Sequence, residues 1–193
     1  NPLLGTKEEL LALKKKINNR GMKLILDFVP NHFSADSEYI DSHPDVFLQA
    51  DDLSMKNDSH TFYKPEKKND LIFAHGRDPF FPAWLDTIQV NYFNEEARKF
   101  MIEQLLHLSE LCDGLRCDMA MLQLNNVFQN TWMGVLSRNN IAKPKEEFWD
   151  HAIIKVKEKN PDFTFIAEAY WDMEWELQQL GFDFTYDKRL TDR

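Results

Sequence analysis

An arginine and an aspartate stand two positions apart near the end of an apolar segment, at Arg116 and Asp118. Side chains two positions apart on a strand point to the same side of a sheet, so these two are predicted to lie side by side. The guanidinium group would then keep the carboxylate ionised and oriented. An ionised and oriented carboxylate can act as a nucleophile, whereas the simpler interpretation is a structural ion pair at the end of a strand.

The segments that must position this pair alternate between amphipathic helices and short apolar strands. The helices are predicted over residues 7–19, from Asn94 to 111, from Pro144 to 159, and from 172 to Gly181. The strands are predicted at residues 22–29, 114–118, 163–168 and 182–186. The first strand is a nearly continuous apolar run, which is typical of a strand buried on both faces of a parallel sheet.

This alternation predicts parallel strands joined by right-handed crossovers. A doubly wound sheet and a (β/α)8 barrel both satisfy it, but no glycine-rich phosphate loop follows any predicted strand, which weighs against a nucleotide-binding fold. Three strands end in polar residues that can do chemistry, namely His32, Asp118 and Glu168. The carboxyl ends of barrel strands converge on one mouth, so these three residues would share a site.

Between the first strand and the second helix the chain changes in character. Residues 33–93 are polar, contain scattered aromatic residues and show no clear periodicity. Their number is far larger than the two to six residues or so that a loop after a strand normally needs. We interpret them as an inserted, irregular subdomain over the site, which divides the chain into residues 1–32, 33–93 and 94–193. A further stretch with two Asn-Asn pairs, residues 125–140, is interpreted as rich in loops.

Carboxyl groups at neighbouring strand ends would lie about 5 Å apart, which is the separation used by retaining glycosidases. Asp118, beside Arg116, would stay ionised as the nucleophile. Glu168 is flanked in sequence by alanine and aromatic residues, so its pKa is predicted to be raised. A carboxyl group with a raised pKa suits the donation of a proton to the leaving oxygen.

Three segments resemble signature regions of the α-amylase family of glycoside hydrolases. They are residues 27–32 (Asp-Phe-Val-Pro-Asn-His), 114–118 (Gly-Leu-Arg-Cys-Asp) and 165–168 (Phe-Ile-Ala-Glu). Each lies at a predicted strand end, and the insertion falls where this family has one, after the third barrel strand. The resemblance implies a partial (β/α)8 TIM barrel covering roughly strands three to six. It also implies a retaining enzyme that acts on α-linked oligosaccharides or polysaccharides.

The resemblance assigns roles at the site to four residues. It implies that Asp118 forms the covalent glycosyl intermediate, and that Glu168 serves first as general acid and then as general base. Arg116 would orient Asp118. His32 would bind substrate by donating hydrogen bonds to hydroxyls of the sugar at the cleavage point. Trp171, an aromatic residue close to Glu168 in sequence, is also predicted to bind substrate.

The resemblance also implies structural roles and departures. Asp27 would be a buried structural carboxylate that fixes its loop. Asn31 matches the asparagine that binds calcium in the family, but the family's Asp-Leu-Asn reads Gln-Val-Asn at residues 89–91, so a charged oxygen ligand is missing. We therefore expect no metal and no cofactor. The family's Lys-His pair is replaced within residues 119–122, Met-Ala-Met-Leu, which predicts a more apolar aglycone side.

Several alternatives stay open. The parent protein could be a transglycosylase of the same family or a carbohydrate-binding homologue without catalysis. An unrelated enzyme that uses His32 with carboxylates to hold a metal is disfavoured, because these residues lack short ligand spacing. The family's third carboxylate would lie beyond residue 193. We therefore expect this chain to need the rest of a barrel and to have little or no hydrolytic activity by itself.

Composition narrows the choice of partners. With 23 basic and 32 acidic residues the formal net charge is −9, which argues against binding to nucleic acid or to an anionic membrane surface. No apolar window approaches the length of a membrane span. The two cysteines, Cys112 and Cys117, are expected to be reduced, which points weakly to a cytoplasmic protein and leaves the location open.

Overall fold

The computed structural model describes residue 3 and residues 5–66 and 70–186 of the 193-residue chain. Its α-helices are α1 (Lys7–Asn18), α2 (Tyr39–Ser42), α3 (Asp52–Asn57), α4 (Glu95–Leu111), α5 (Asn125–Arg138), α6 (Phe148–Lys159) and α7 (Glu174–Gln179). Its β-strands are β1 (Ile25–Phe28), β2 (His32–Ser34), β3 (Gln49–Ala50), β4 (Phe62–Tyr63), β5 (Ile72–Ala74), β6 (Thr87–Gln89), β7 (Gly114–Cys117), β8 (Thr164–Glu168) and β9 (Phe184–Tyr186). Short 3-10 helices cover Pro44–Val46 and Ala120–Gln123.

Four parallel strands form the central sheet, in the order β1-β7-β8-β9. Each of these strands pairs with the next of the four along the chain, so the strand order in the sheet follows the chain order without a reversal. A doubly wound sheet would reverse its strand order at a switch point. The one-way order is that of a (β/α)8 barrel, and the predicted partial barrel is confirmed as an arc of four parallel strands.

The two faces of the sheet differ in burial. Leu115 and Cys117 of β7 have no exposed surface and belong to the core that also contains Met101 of α4 and Trp149 of α6. Arg116, between them, points to the opposite face because side chains alternate along a strand. In a barrel the helices cover the outer face, so Arg116 lies on the inner face.

The prediction of a first strand buried on both faces is wrong. β1 spans only Ile25–Phe28, and both Met22 and Val29 are exposed. Within the described residues β1 is an edge strand that pairs with β7 on one side. The side chain of Asp27, predicted to be buried, is 71% exposed because nothing in the described chain covers the inner face of this edge strand.

The insertion contains two small antiparallel sheets rather than irregular chain. One has the order β2-β6 and the other β3-β5-β4. Strands of two or three residues are too short to show an alternating pattern, which explains the absence of periodicity in the sequence. Their buried side chains belong to the same hydrophobic cluster as those of the barrel helices. The boundaries 1–32, 33–93 and 94–193 stay a prediction.

The predicted loop at residues 125–140 is wrong, since most of it is helix α5. Its buried apolar side chains recur at helical spacing: Val127, Phe128, Trp132, Val135 and Leu136. The N-cap residue Leu124 offers no side-chain cap. Instead the Glu147 carboxylate accepts the backbone N–H of Asn125 at 2.9 Å. A cap supplied from a distant segment is invisible to local sequence patterns.

Helix α6 begins at Phe148 rather than at the predicted Pro144. The carbonyls of Pro144 and Glu146 accept hydrogen bonds from the side-chain amide of Asn125, at 3.2 and 3.0 Å. These residues therefore dock against the start of α5 and do not form a first helical turn.

Two further observations concern membrane-spanning helices and the cysteines. Among the described residues, no helix combines the length and apolar character needed to cross a membrane. Cys112 and Cys117 are both buried and are not joined to each other.

Candidate active site

Arg116 lies at the centre of a cluster of carboxylates on the inner face of the sheet. Its Nη1 is 2.7 Å from Asp118 Oδ1 and 3.5 Å from Asp27 Oδ1, and its Nη2 is 2.8 Å from Glu168 Oε2. Burial by itself would lower the pKa of Arg116, but hydrogen bonds to Tyr186 and Asp118 and the charge of Glu168 raise it. The predicted contact of Arg116 with Asp118 is confirmed, and the same guanidinium also holds Glu168.

The register of the sheet brings the two candidate catalytic residues to the same level. Cys117 of β7 pairs with Ala167 of β8. Asp118 follows Cys117 and Glu168 follows Ala167, so both carboxylates lie at the carboxyl ends of adjacent parallel strands. They are close enough for the charge of Glu168 to raise the pKa of Asp118.

Glu168 is only 8% exposed and is held by several donors. The hydroxyl of Tyr170 donates to Oε1 at 2.6 Å, and the backbone N–H of Met119 donates to Oε2 at 2.9 Å. Burial raises the pKa of Glu168, but hydrogen bonds from Tyr170, Met119 and Tyr186 bring it below its usual value. The upward shift predicted from the neighbouring residues in sequence is therefore in the wrong direction.

The pKa of Asp118 is raised, although the hydrogen bond from Arg116 favours the ionised form as predicted. Burial has the largest effect and the charge of Glu168 adds to it, while the hydrogen bond from Arg116 opposes them. The sequence predicts a contact of Arg116 with Asp118 alone, whereas its guanidinium also binds Glu168. It also took Ala167 and Ala169 as surroundings of Glu168, but both are buried in the hydrophobic core.

The chain turns sharply after Asp118. Met119 has a φ of 45°, in the left-handed region, and the 3-10 helix Ala120–Gln123 follows. This turn allows the backbone N–H of Met119 to reach Glu168. The side chains of residues 120–122 are buried in the core. Met119 is partly buried against the same core, and a more apolar aglycone side stays a prediction.

His32 begins β2 and lies beside Trp84, with ring centroids 5.2 Å apart. Its Nδ1 is 3.5 Å from Nδ2 of Asn31. Burial lowers the pKa of His32, against the opposing charge of Asp86, so the imidazole is neutral at neutral pH. In the part of the chain that the structure describes, no hydrogen bond or ion pair connects His32 to Asp118.

Asn31 lies just before the insertion and is only 2% exposed. Its backbone carbonyl and its side-chain Oδ1 accept hydrogen bonds from Nε2 of Gln89, at 2.9 and 3.0 Å. The structure therefore places Asn31 against strand β6 of the insertion.

Trp171 follows Glu168 in a loop with unusual backbone geometry. Trp171 and Asp172 have φ angles of 64° and 62°, both in the left-handed region. The ring of Trp171 meets that of Phe80 edge-on, with centroids 4.9 Å apart. Phe80 is 69% exposed, and its backbone N–H donates to Asp78 Oδ1 at 2.7 Å. This aromatic pair connects the insertion to the loop after β8.

Two tyrosines that sequence reasoning missed touch the carboxylate cluster. Tyr170 donates to Glu168, and the hydroxyl of Tyr186 accepts hydrogen bonds from Nη2 and Nε of Arg116, at 2.7 and 3.2 Å. Tyr186 pairs with Glu168 in the sheet. The rule that selected Asp118, a polar residue at the carboxyl end of a parallel strand, selects Tyr186 as well.

The chain is similar to known proteins in sequence and in fold. Residues 1–189 match the family model described as alpha amylase, catalytic domain. Alpha-amylase 3 of Dictyoglomus thermophilum is 23% identical over 206 residues, an alignment covering 100% of this chain and 36% of that protein. Probable oligo-1,6-glucosidase 2 of Bacillus subtilis is 25% identical over 161 residues, covering 72% of this chain and 27% of that protein.

The crystal structure of an alpha-amylase from Lactobacillus plantarum resembles this fold with a TM-score of 0.62 and 25% sequence identity, over 97% of this chain and 37% of that one. This chain thus spans well under half of the length of each of these three proteins. Because the family model matches almost every residue, the chain belongs to the α-amylase family.

Proposed function

We propose that the protein containing this chain is a retaining glycoside hydrolase that cleaves α-linked glucosides or α-glucans by double displacement. The observation that carries this proposal is the placement of Asp118 and Glu168 at adjacent strand ends, with Arg116 bonded to both. Double displacement needs two carboxyl groups that are close together. The names of the relatives, alpha-amylase and probable oligo-1,6-glucosidase, support this class of substrate.

In the first step an oxygen of Asp118 attacks the anomeric carbon of the sugar. The bond between that carbon and the leaving oxygen breaks, and Glu168 gives its proton to the leaving oxygen. Arg116 donates to Oδ1 of Asp118 and so fixes the orientation of the nucleophile. The products of this step are a glycosyl ester on Asp118 and an ionised Glu168.

In the second step the Glu168 carboxylate takes a proton from water. The water oxygen attacks the same carbon, and the bond to Asp118 breaks, so the configuration of the sugar is retained. The donors around Glu168, from Tyr170 and Met119, stabilise its ionised form during this step. A sugar hydroxyl in the place of water would give transglycosylation with the same residues.

The first step requires the proton to be on Glu168. Hydrogen bonds from Tyr170 and Met119 lower the pKa of Glu168 in the structure, which works against its protonation. Positive charge that develops at the anomeric carbon stabilises the ionised form of Asp118, which is the form that attacks.

Other residues bind the sugar in this proposal. Trp171 and its partner Phe80 present aromatic surface beside the site, where a sugar ring can pack. His32, neutral at neutral pH, has a ring N–H to donate to a sugar hydroxyl. The net charge of −9 suits a neutral oligosaccharide or polysaccharide better than an anionic one.

Trapping of the covalent intermediate tests this function. A fluorinated α-glucosyl fluoride that slows the second step is incubated with the protein that carries this chain, and the labelled peptide is identified by mass spectrometry. We expect the label on Asp118 and none in the Asp118→Asn variant. A label on a different residue contradicts the assignment, and a product of inverted configuration contradicts double displacement. Binding of oligosaccharides without any turnover would instead identify a carbohydrate-binding homologue.

A further inference from the structure

Three oxygen atoms converge on the side-chain amide of Gln89. Nε2 of Gln89 is 2.9 Å from the carbonyl oxygen of Asn31, 3.0 Å from Oδ1 of Asn31 and 3.0 Å from the carbonyl oxygen of Val90. Gln89 is fully buried and Asn31 is 2% exposed, so bulk water does not compete for these contacts. One donor group therefore serves three acceptors in the interior of the protein.

These contacts join the two ends of the insertion. Asn31 leads from β1 into the insertion, and Val90 leads from β6 back toward α4. Two further hydrogen bonds cross the same junction, from the backbone N–H of Val90 to the carbonyl of Asn31 at 3.1 Å and from the hydroxyl of Tyr92 to the carbonyl of Pro30 at 2.8 Å. The amide of Gln89 thus lies where the insertion is fastened to the barrel.

A convergence of carbonyl and amide oxygens is the arrangement that proteins use to hold a hard cation such as calcium. The resemblance to the α-amylase family implies a calcium ion bound through Asn31. In this chain, however, the point on which the oxygens converge is taken by an N–H donor. Among the described residues there is also no group of three or more histidine, cysteine or acidic side chains that could hold a metal. The residues present do not fit the implied ion.

The orientation of the amide follows from the same contacts. Turned the other way, Oε1 of Gln89 would face three oxygens and be repelled by all of them. With Nε2 facing them, Oε1 finds no hydrogen-bond donor in the part of the chain that the structure describes. An unpaired buried acceptor is costly, so the donor end of the amide must account for the position of this side chain.

We propose that the amide of Gln89 replaces a structural calcium ion and fastens the insertion to the barrel by hydrogen bonds. The partial positive charge of its two amide hydrogens satisfies Asn31 and Val90 as a cation would. A carboxylate at position 89 would supply the charged oxygen that calcium needs and would turn this junction into a cation site. This inference concerns stability and does not depend on the proposed activity.

Thermal unfolding in calcium and in a chelator tests the proposal, using the wild-type protein that carries this chain, Gln89→Met and Gln89→Asp. We expect Gln89→Met to lower the Tm by about 5 °C in both conditions, because Oδ1 of Asn31 and the carbonyl of Val90 lose this donor and the carbonyl of Asn31 keeps only the N–H of Val90. Its difference in Tm between calcium and chelator should equal that of the wild type. Gln89→Asp should unfold at a lower temperature in chelator and regain Tm in calcium.

Two outcomes would overturn the proposal. A calcium-dependent Tm in the wild type that Gln89→Met abolishes would show that Gln89 is itself a calcium ligand. This comparison decides the matter even where Gln89→Asp fails to fold. Gln49→Met is the matched control, since this partly buried glutamine of the insertion donates to Pro44 and Asp45. A loss of Tm in this control as large as in Gln89→Met would remove the special role of the junction.

Discussion

The guanidinium of Arg116 is divided between two carboxylates, with Nη1 at 2.7 Å from Asp118 and Nη2 at 2.8 Å from Glu168. In Arg116→Ala the two carboxyl groups face each other without this positive charge, and the pKa of Asp118, already raised, rises further. The nucleophile must be ionised, so the acidic limb of the kcat/KM profile should move to higher pH. We expect kcat to fall about 100- to 1000-fold, the usual cost of losing an oriented charge in a site.

Arg138→Ala is the control for this prediction. Arg138 also pairs with an aspartate, Asp51, at 3.2 Å, but it lies on α5 and contacts the insertion. Its replacement should leave the pH profile unchanged. An acidic limb that stays in place in Arg116→Ala would mean that Arg116 does not control the ionisation of Asp118.

Tyr170 sets the acidity of the general acid. Tyr170→Phe removes the hydrogen bond of 2.6 Å to Glu168, which is one of the contacts that lower the pKa of Glu168. The pKa of Glu168 should therefore rise, and Glu168 should stay protonated to higher pH. The basic limb of the kcat/KM profile, which reports loss of this proton, is expected to move to higher pH.

Tyr63→Phe serves as the comparison for Tyr170→Phe, because the Tyr63 hydroxyl donates to the carbonyl of Ala35 within the insertion, at 3.5 Å. It should keep the wild-type profile. A basic limb that moves to lower pH in Tyr170→Phe would show that Tyr170 does not stabilise the ionised form of Glu168.

The aromatic pair of Trp171 and Phe80 is expected to bind the sugar on the rim of the site. Replacement of either ring by alanine should raise KM about 5- to 10-fold with little change in kcat, since it removes stacking area away from the reacting bond. Phe81→Ala is the matched control. Phe81 is 66% exposed and is the next residue in the chain, but within the described residues its ring does not pack on Trp171. An equal rise of KM in Phe81→Ala would refute a specific role for the pair.

The position of the candidate catalytic residues follows from the sequence because it depends on local rules. A period of two places Arg116 beside Asp118, and parallel strands place Asp118 level with Glu168. The direction of the pKa shifts does not follow from the sequence. These shifts depend on which carboxylates bind the guanidinium of Arg116 and on the hydroxyl groups of Tyr170 and Tyr186. Only the register of the sheet brings these groups into contact.

The parts of the fold that sequence patterns miss are those held by distant partners. Helix α5 has no side-chain cap from its N-cap residue. The carboxylate of Glu147 accepts its first backbone N–H instead. The strands of the insertion are two or three residues long and gain their order from pairing and from the shared core. Asp27 is exposed because β1 is an edge strand among the described residues, whereas an apolar run predicts only that a strand is buried on average.

The surroundings of two glycines predict opposite effects on stability when each is replaced by alanine. A Cβ at Gly114, in β7, would lie 2.5 Å from the carbonyl oxygen of Thr164 and 2.7 Å from Cδ1 of Ile25. A backbone carbonyl cannot move aside, so Gly114→Ala must push β7 and β8 apart, and we expect the free energy of unfolding to fall by about 2–4 kcal/mol.

Gly134, in α5, is the matched case. A Cβ there would meet Nη1 of Arg138 at 3.6 Å, an ordinary contact, and alanine favours a helix over glycine by about 1 kcal/mol. Gly134→Ala should therefore stabilise the protein. Urea denaturation of both variants measures these changes, and a Gly114→Ala protein as stable as the wild type would contradict the close approach of β7 to β8 at this point.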